Sequence, residues 1–181
     1  MTIEITFEHH STSVDNEAGI ASGWRDPPLS PEGREQAKQL DERRREEHID
    51  AVFPSDLRRA VETAQIAFAA AAPIHPDRRL REYDYWTMTG APVDQIHAER
   101  THRVNKAFPE GESLHDVAER VRSFLDDLAQ DWNGKRVVVI GHRATKLALD
   151  HLLGGLSLED AAGLPFEWEP IPPSYRYVLD V

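Results

Sequence analysis

Val137, Val138, Val139 and Ile140 form an unbroken β-branched run, preceded by Arg136 and followed at once by Gly141-His142-Arg143. A strand covered on both faces accounts for such a run, and strands of that kind belong to parallel sheets flanked by helices. The rest of the chain alternates in the way such a sheet requires. Ile3, Ile5 and Phe7 alternate with Glu4, Thr6 and Glu8, predicting a first strand over residues 3–8, before a Ser-, Asp-, Gly- and Pro-containing loop over 11–28. Ser30 with Pro31 opens a helix to about Glu47; residues 49–53 read as a short strand ended by Pro54, and 57–71 as a helix closed by Pro73. Residues 73–108 are mixed, with a short strand near Ile74 and a helix over 93–103. Ser113 and Asp116 form a capping box for a helix carrying Leu114, Val117, Val121, Leu125, Leu128 and Trp132 on one side, stopped by Asn133-Gly134. Helical spacing returns over 143–153, and residues 175–181 alternate like a last, edge strand. This order predicts one α/β domain over 1–181, a three-layer sandwich with a mostly parallel central sheet and helices on both faces.

Composition narrows the functions open to that fold. The chain has 181 residues, 21 Lys plus Arg against 32 Asp plus Glu, and a formal net charge of −11. That balance argues against nucleic acid or an anionic membrane as the main partner, and an anionic ligand requires a local basic pocket. No apolar run is long enough to span a bilayer, and the opening MTIEITFEHH lacks the basic start and apolar core of a signal peptide. The absence of cysteine excludes disulfides and thiolate metal sites, and the expected location is cytoplasmic.

In a parallel α/β sheet, ligands bind beyond the carboxyl ends of the strands. His9-His10, Ser55-Asp56 and His142 occupy those ends. Each histidine alone, among nine, reads equally as a surface or core residue; two in corresponding slots point to convergence in one pocket. Metal binding fits poorly, because adjacent residues of a strand face opposite ways and no HxH, HExxH or acidic cluster accompanies the pair. No nucleophile elbow, phosphate-binding glycine loop or dinucleotide fingerprint is present.

These segments together resemble the histidine phosphatase (phosphoglycerate mutase-like) superfamily. His9-His10-Ser11 through Asn16, Gly23-Trp24 and Leu29-Ser30-Pro31-Glu32-Gly33 is similar to the family's opening, which begins Arg-His-Gly. Ser55-Asp-Leu-Arg-Arg59-Ala60 with Thr63, then Leu80-Arg-Glu82, Pro109-Glu-Gly111 and VVVIGHR complete the family's order. The resemblance implies a phosphohistidine mechanism on a small phosphomonoester without metal or organic cofactor. It implies His10 as nucleophile, Arg59 and a protonated His142 as phosphoryl clamps, and Glu82 as proton donor, with Asp84 as the alternative donor. His9, Ser11, Asn16 and Arg143 are the implied substrate contacts. A shifted register would put His9 on the nucleophile and Glu8 on the arginine, but it displaces Asn16, Gly23-Trp24 and Leu29 by one residue.

The chain departs from the family where His9 replaces the first arginine and Ser11 the glycine, and where Arg143 stands in place of a small residue. Two substitutes for the lost charge follow: a protonated His9, or Arg143 reaching into the pocket; the competing reading of Arg143 is a solvated residue at a helix start. Similarly, Glu82 among Arg78, Arg79 and Arg81 reads alternatively as a surface ion pair. Compactness favours hydrolysis over mutase action. The other functions open to the chain are a degenerate member that binds an anionic ligand or a protein partner without turnover, and altered chemistry in specialised metabolism. Tyr83, Tyr85, Trp86, Met88 and Trp24 are the expected wall residues. The oligomeric state is not readable.

Overall fold

A computed structural model describes residues 1–165 and 173–181. Its sheet contains β1 (Thr2–His9), β2 (Ala51–Pro54), β3 (Arg136–Gly141) and β4 (Tyr175–Asp180) in the order β2-β3-β1-β4. β1 and β2 both pair in parallel with β3, with Phe7 opposite Val139 and Phe53 also opposite Val139. β4 runs antiparallel to β1 at the edge, from Thr2 opposite Asp180 to Phe7 opposite Tyr175. The helices are α1 (Val14–Glu17), α2 (Pro31–Arg44), α3 (Arg58–Phe68), α4 (Val93–Glu99), α5 (Leu114–Asp131), α6 (Arg143–Leu152) and α7 (Leu158–Gly163).

The β-branched run explains the three layers. Val137 and Val139 join Ile3, Ile5 and Phe7 against α5 and α6, whereas Val138 and Ile140 join Val52 against Leu40, Ala60, Ala64 and Phe68 from α2 and α3. Both faces of β3 are therefore core, and every side chain of the run is buried.

Most predicted elements are present, with different ends. Helix 31–47 stops at Arg44 and helix 57–71 at Phe68, while the strand near Ile74 is a single bridge to Val52. Helix 93–103 becomes 3₁₀ from Arg100 onward. The loop over 11–28 contains α1, a single turn closed by a Ser13–Asn16 capping box, and α7 begins at a second cap, Ser157. Both are too short for a hydrophobic period to register.

α2 fixes the loop that follows β1. Ser30 caps α2 through Gly33 N–H at 3.0 Å and donates its own N–H to the Thr12 carbonyl at 3.0 Å. Gln36 accepts from both Thr12 N–H and its hydroxyl, at 3.0 and 2.9 Å. A Cβ at position 33 would overlap the Thr12 carbonyl, so glycine is required for this approach. β1 carries a second anchor. Glu8 is 2% exposed and takes Arg44 Nε and Nη2 at 3.1 and 2.6 Å, with the Ser174 hydroxyl at 2.6 Å.

Candidate active site

The carboxyl ends of β1, β2 and β3 bring His10, Ser55 and His142 together, and α3 adds Arg59. His10 Nδ1 lies 2.7 Å from the Ser11 carbonyl, to which it donates. The Ser11 N–H is held in turn by the Thr63 hydroxyl at 3.0 Å. Arg59 Nε points at His10 Nε2 from 3.3 Å. A guanidinium only donates, so His10 Nε2 offers its lone pair and the proton sits on Nδ1. The same reasoning assigns His142. Arg59 Nη2 lies 3.3 Å from its Nδ1, leaving the Nε2 proton to reach Ser55 Oγ at 2.6 Å. The two imidazoles are 4.9 Å apart between ring centres.

Arg59, 2% exposed, completes its hydrogen bonds on the carbonyls of Gly23 and Arg25 at 2.9 and 3.1 Å. Burial disfavours its charge and the Glu82 carboxylate supports it. Burial first, and the Arg59 charge second, hold His10 and His142 well below the ordinary imidazole range. His142 is therefore neutral in this pocket, and a protonated clamp there requires an anion on the side that Arg59 occupies.

His9 is neutral as well, and the expected cation there is corrected. Its ring meets Phe7 and Tyr175 edge-on at 5.0 and 6.2 Å. It keeps some accessible surface on the cavity wall, yet protein surrounds it in nearly every direction. Burial, then Arg143 and Lys146, lower its pKa to about 3. A protonated His9 does not replace the missing arginine.

Glu82 stands at the amino end of α6. Its Oε1 accepts the N–H groups of Tyr83 and Ala144 at 2.8 and 3.1 Å, and Oε2 accepts that of Arg143 at 3.1 Å. Burial raises its pKa against those donors. The neighbouring arginines do not pair with it: Arg81 forks onto Asp56 at 2.6 and 2.8 Å, and Arg79 holds Asp77 and Asp127. Asp84, the alternative donor, accepts from Trp86 N–H at 2.9 Å and lines a separate outer groove with Trp24 and Trp86.

His9, His10, Asn16, Arg59, Glu82 and Arg143 all line one cavity of about 300 Å³. Ser11 and His142 do not: Ser11 acts through its backbone, and His142 touches the cavity residues from behind. Tyr83 and Tyr85 form the wall as expected, stacked at 5.7 Å and packed on Phe108, whereas Trp24 and Trp86 lie in the outer groove and Met88 packs on the core. Arg143 enters the wall rather than solvent. Its Nη2 donates to the Leu164 carbonyl at 2.9 Å, and burial followed by the Arg100 charge lowers its pKa to about 10, so it remains a cation. Arg100 is one of the lining residues, with Asp94 and His97, that no sequence pattern indicated. All three belong to the mixed stretch over 73–108, where neither period nor capping marks a facing side. Among the described residues, no three His, Cys, Asp or Glu side chains gather as a metal site. No helix among them is long and apolar enough to cross a membrane.

Residues 6–168 match the Histidine phosphatase superfamily (branch 1). The chain is 32% identical to phosphoserine phosphatase 1 of Hydrogenobacter thermophilus over 86% of its own length and 78% of that protein. It is 30% identical to a 2,3-bisphosphoglycerate-dependent phosphoglycerate mutase of a Methylobacterium species, covering 97% of this chain and 92% of the mutase. Among solved structures, mycobacterial glucosyl-3-phosphoglycerate phosphatase in complex with VO3 superposes with a TM-score of 0.77 at 26% identity, over 90% of this chain and 87% of that one. The protein belongs to the histidine phosphatase superfamily. Its relatives are phosphatases and mutases acting on small phosphorylated molecules, and phosphatase-type chemistry is the activity class this membership supports.

Proposed function

We propose that the protein hydrolyses a small phosphomonoester through a phosphohistidine on His10. The observation that carries this reading is the His10 ring itself, with Nδ1–H fixed on the Ser11 carbonyl and an Nε2 lone pair turned toward Arg59. His10 Nε2 attacks phosphorus as the ester P–O bond breaks, and Glu82 gives its proton to the departing oxygen. Arg59 exchanges its imidazole contacts for phosphoryl oxygens, and the His142 Nδ1 thereby released gains a proton from solvent once the dianion has entered. Water then attacks phosphorus, the Glu82 carboxylate takes a water proton, the N–P bond breaks, and phosphate and neutral His10 are left. Arg143, a cavity-lining cation, supplies the charge that His9 lacks; an Arg143→Ala protein with unchanged turnover and unchanged phosphate affinity would remove that part of the reading.

Chain length does not separate hydrolysis from mutase action, since the mutase relative is matched over 92% of its length. Phosphate release from a phosphomonoester panel by the native chain and by His10→Ala decides the question. Release that depends on His10, with an acid-labile phosphoprotein trapped on mixing, is expected. Release that survives in His10→Ala refutes the mechanism. Isomerised ester without phosphate release favours a mutase, and vanadate binding without turnover favours a binding-only member.

A further inference from the structure

The mechanism leaves the Gly23-Trp24 motif without a task. Trp24 is half-buried and lies in the outer groove, outside the cavity that Gly23, Arg59 and Glu82 line. Its indole Nε1 donates to the Glu82 carbonyl at 2.8 Å. The carbonyls on either side of it, those of Gly23 and Arg25, accept from Arg59 Nη2 and Nη1 at 2.9 and 3.1 Å. One residue therefore sits between two hydrogen bonds to the phosphoryl clamp and holds the main chain of the proton donor with its side chain.

The surrounding contacts hold that arrangement in place. Arg81 Cζ lies 4.8 Å from the centre of the Trp24 ring while its nitrogens fork onto Asp56, just ahead of the helix that carries Arg59. Gly23, at φ +51°, lies so close to the segment after Glu82 that a Cβ there would stand 2.9 Å from the Tyr85 ring and 3.2 Å from the Tyr83 carbonyl. Arg120 Nη2 is a second donor to the Glu82 carbonyl, at 2.9 Å. Loss of the indole N–H would thus leave that oxygen bonded, but from one side only. Burial works against the charges of Arg59 and Glu82, and each supports the other, so their relative placement matters to both.

We propose that Trp24 is a positioning residue that sets the proton donor Glu82 in register with the Arg59 clamp, so that the departing oxygen of a bound ester lies within the donor's reach. This rests on the reading of His10 as nucleophile and Glu82 as donor. Trp24 touches neither the phosphoryl group nor the departing oxygen. It acts through two stretches of backbone, its own onto Arg59 and that of Glu82 onto the carboxyl group.

The test is single-turnover phosphorylation of His10 by propyl phosphate, beside the burst of p-nitrophenolate from p-nitrophenyl phosphate, in Trp24→Phe. That change removes the indole N–H and keeps an aromatic face for Arg81. Phosphorylation by propyl phosphate is expected to slow about tenfold, part of the rate that a well-placed proton donor supplies. The p-nitrophenolate burst and the affinity for vanadate stay within about twofold, because the Gly23 and Arg25 carbonyls still hold Arg59 and this leaving group needs no proton. In a Glu82→Gln background the same change is expected to add no further slowing, since residues that act as a unit are not additive. Trp24→Leu also lacks the donor and should repeat the pattern, so the outcome does not depend on how one variant folds. Equal losses on the two esters, an undiminished loss in the Glu82→Gln background, or full alkyl activity in both Trp24 variants overturns the role. Should neither ester phosphorylate His10, the His10 reading fails separately. The Glu82 carboxyl titration, followed by carbon NMR, then judges Trp24: it moves in Trp24→Phe if the indole places the donor, and an unchanged titration overturns the role.

Discussion

His9→Gln distinguishes a neutral from a cationic histidine beside the nucleophile by the sign of a stability change. In the folded protein His9 titrates at about 3, because its ring is packed among Phe7, Tyr175 and the Arg143 and Lys146 charges. In the unfolded chain an ordinary histidine titrates near 6.5. A folded-state pKa depressed in this way contributes stability that is present above the unfolded value and is lost as pH falls below it. Between about pH 7.5 and about pH 5.5, the unfolded state gains one proton that the folded state refuses, a loss of about 1.4 kcal/mol to the wild type. Glutamine takes up no proton, so His9→Gln escapes that loss. Urea unfolding of both proteins at the two pH values should therefore show the variant gaining about 1.4 kcal/mol relative to wild type on acidification. A cationic His9, with its folded pKa raised, requires the opposite: the wild type gains relative to the variant as pH drops. That outcome would refute the neutral assignment and restore His9 as the substitute for arginine.

Three further variants test the site and its supports. Glu82→Gln should slow the single-turnover phosphorylation of His10 by alkyl phosphates by about 10²–10⁴ yet spare the burst of p-nitrophenolate from p-nitrophenyl phosphate, whose leaving group needs no proton; equal losses in that step would deny Glu82 the donor role. Because burial raises the Glu82 pKa, its contribution is complete below the unfolded value and fades as pH rises through the folded one, so Glu82→Gln should gain stability relative to wild type with rising pH. Gly33→Ala forces a methyl group against the Thr12 carbonyl and should cost about 1–3 kcal/mol by urea unfolding while lowering turnover, since Thr12 follows His10 by two positions. Arg44→Met leaves the buried Glu8 with only the Ser174 hydroxyl and the longer Arg43 contact and should cost about 3 kcal/mol, most of it recovered in Glu8→Leu/Arg44→Met; no recovery would mean that Glu8 is not the source of the loss.

The sheet was legible because its evidence is local. Val137 to Ile140 cannot alternate, Ile3, Ile5 and Phe7 must, and Ser30-Pro31 and Ser113–Asp116 carry their own caps. The positions of His10, Arg59, Glu82 and His142 followed from motifs in fixed order. Their protonation did not. Whether His9 and His142 hold protons depends on which charges and rings surround them, and those come from Phe7, Tyr175, Arg59 and Arg143, scattered through the chain. Arg100 was invisible for a related reason: nothing local in the mixed stretch over 73–108 marks which side chains will face the cavity. The short helices α1 and α7 hide because one or two turns hold too few residues to reveal a period.

Arg59 is surrounded by two imidazole lone pairs and two peptide carbonyls, all of them uncharged acceptors. An arriving phosphate has no resident carboxylate to evict from the guanidinium, only dipoles to replace, while the protein as a whole carries a net charge of −11 and repels it at long range. Ionic strength then acts on capture far more than on retention. Added salt screens the distant repulsion and speeds arrival, whereas an anion held on the buried Arg59 is screened much less. Salt dependence is thereby concentrated in the association rate, and the dissociation rate reports on the buried contacts.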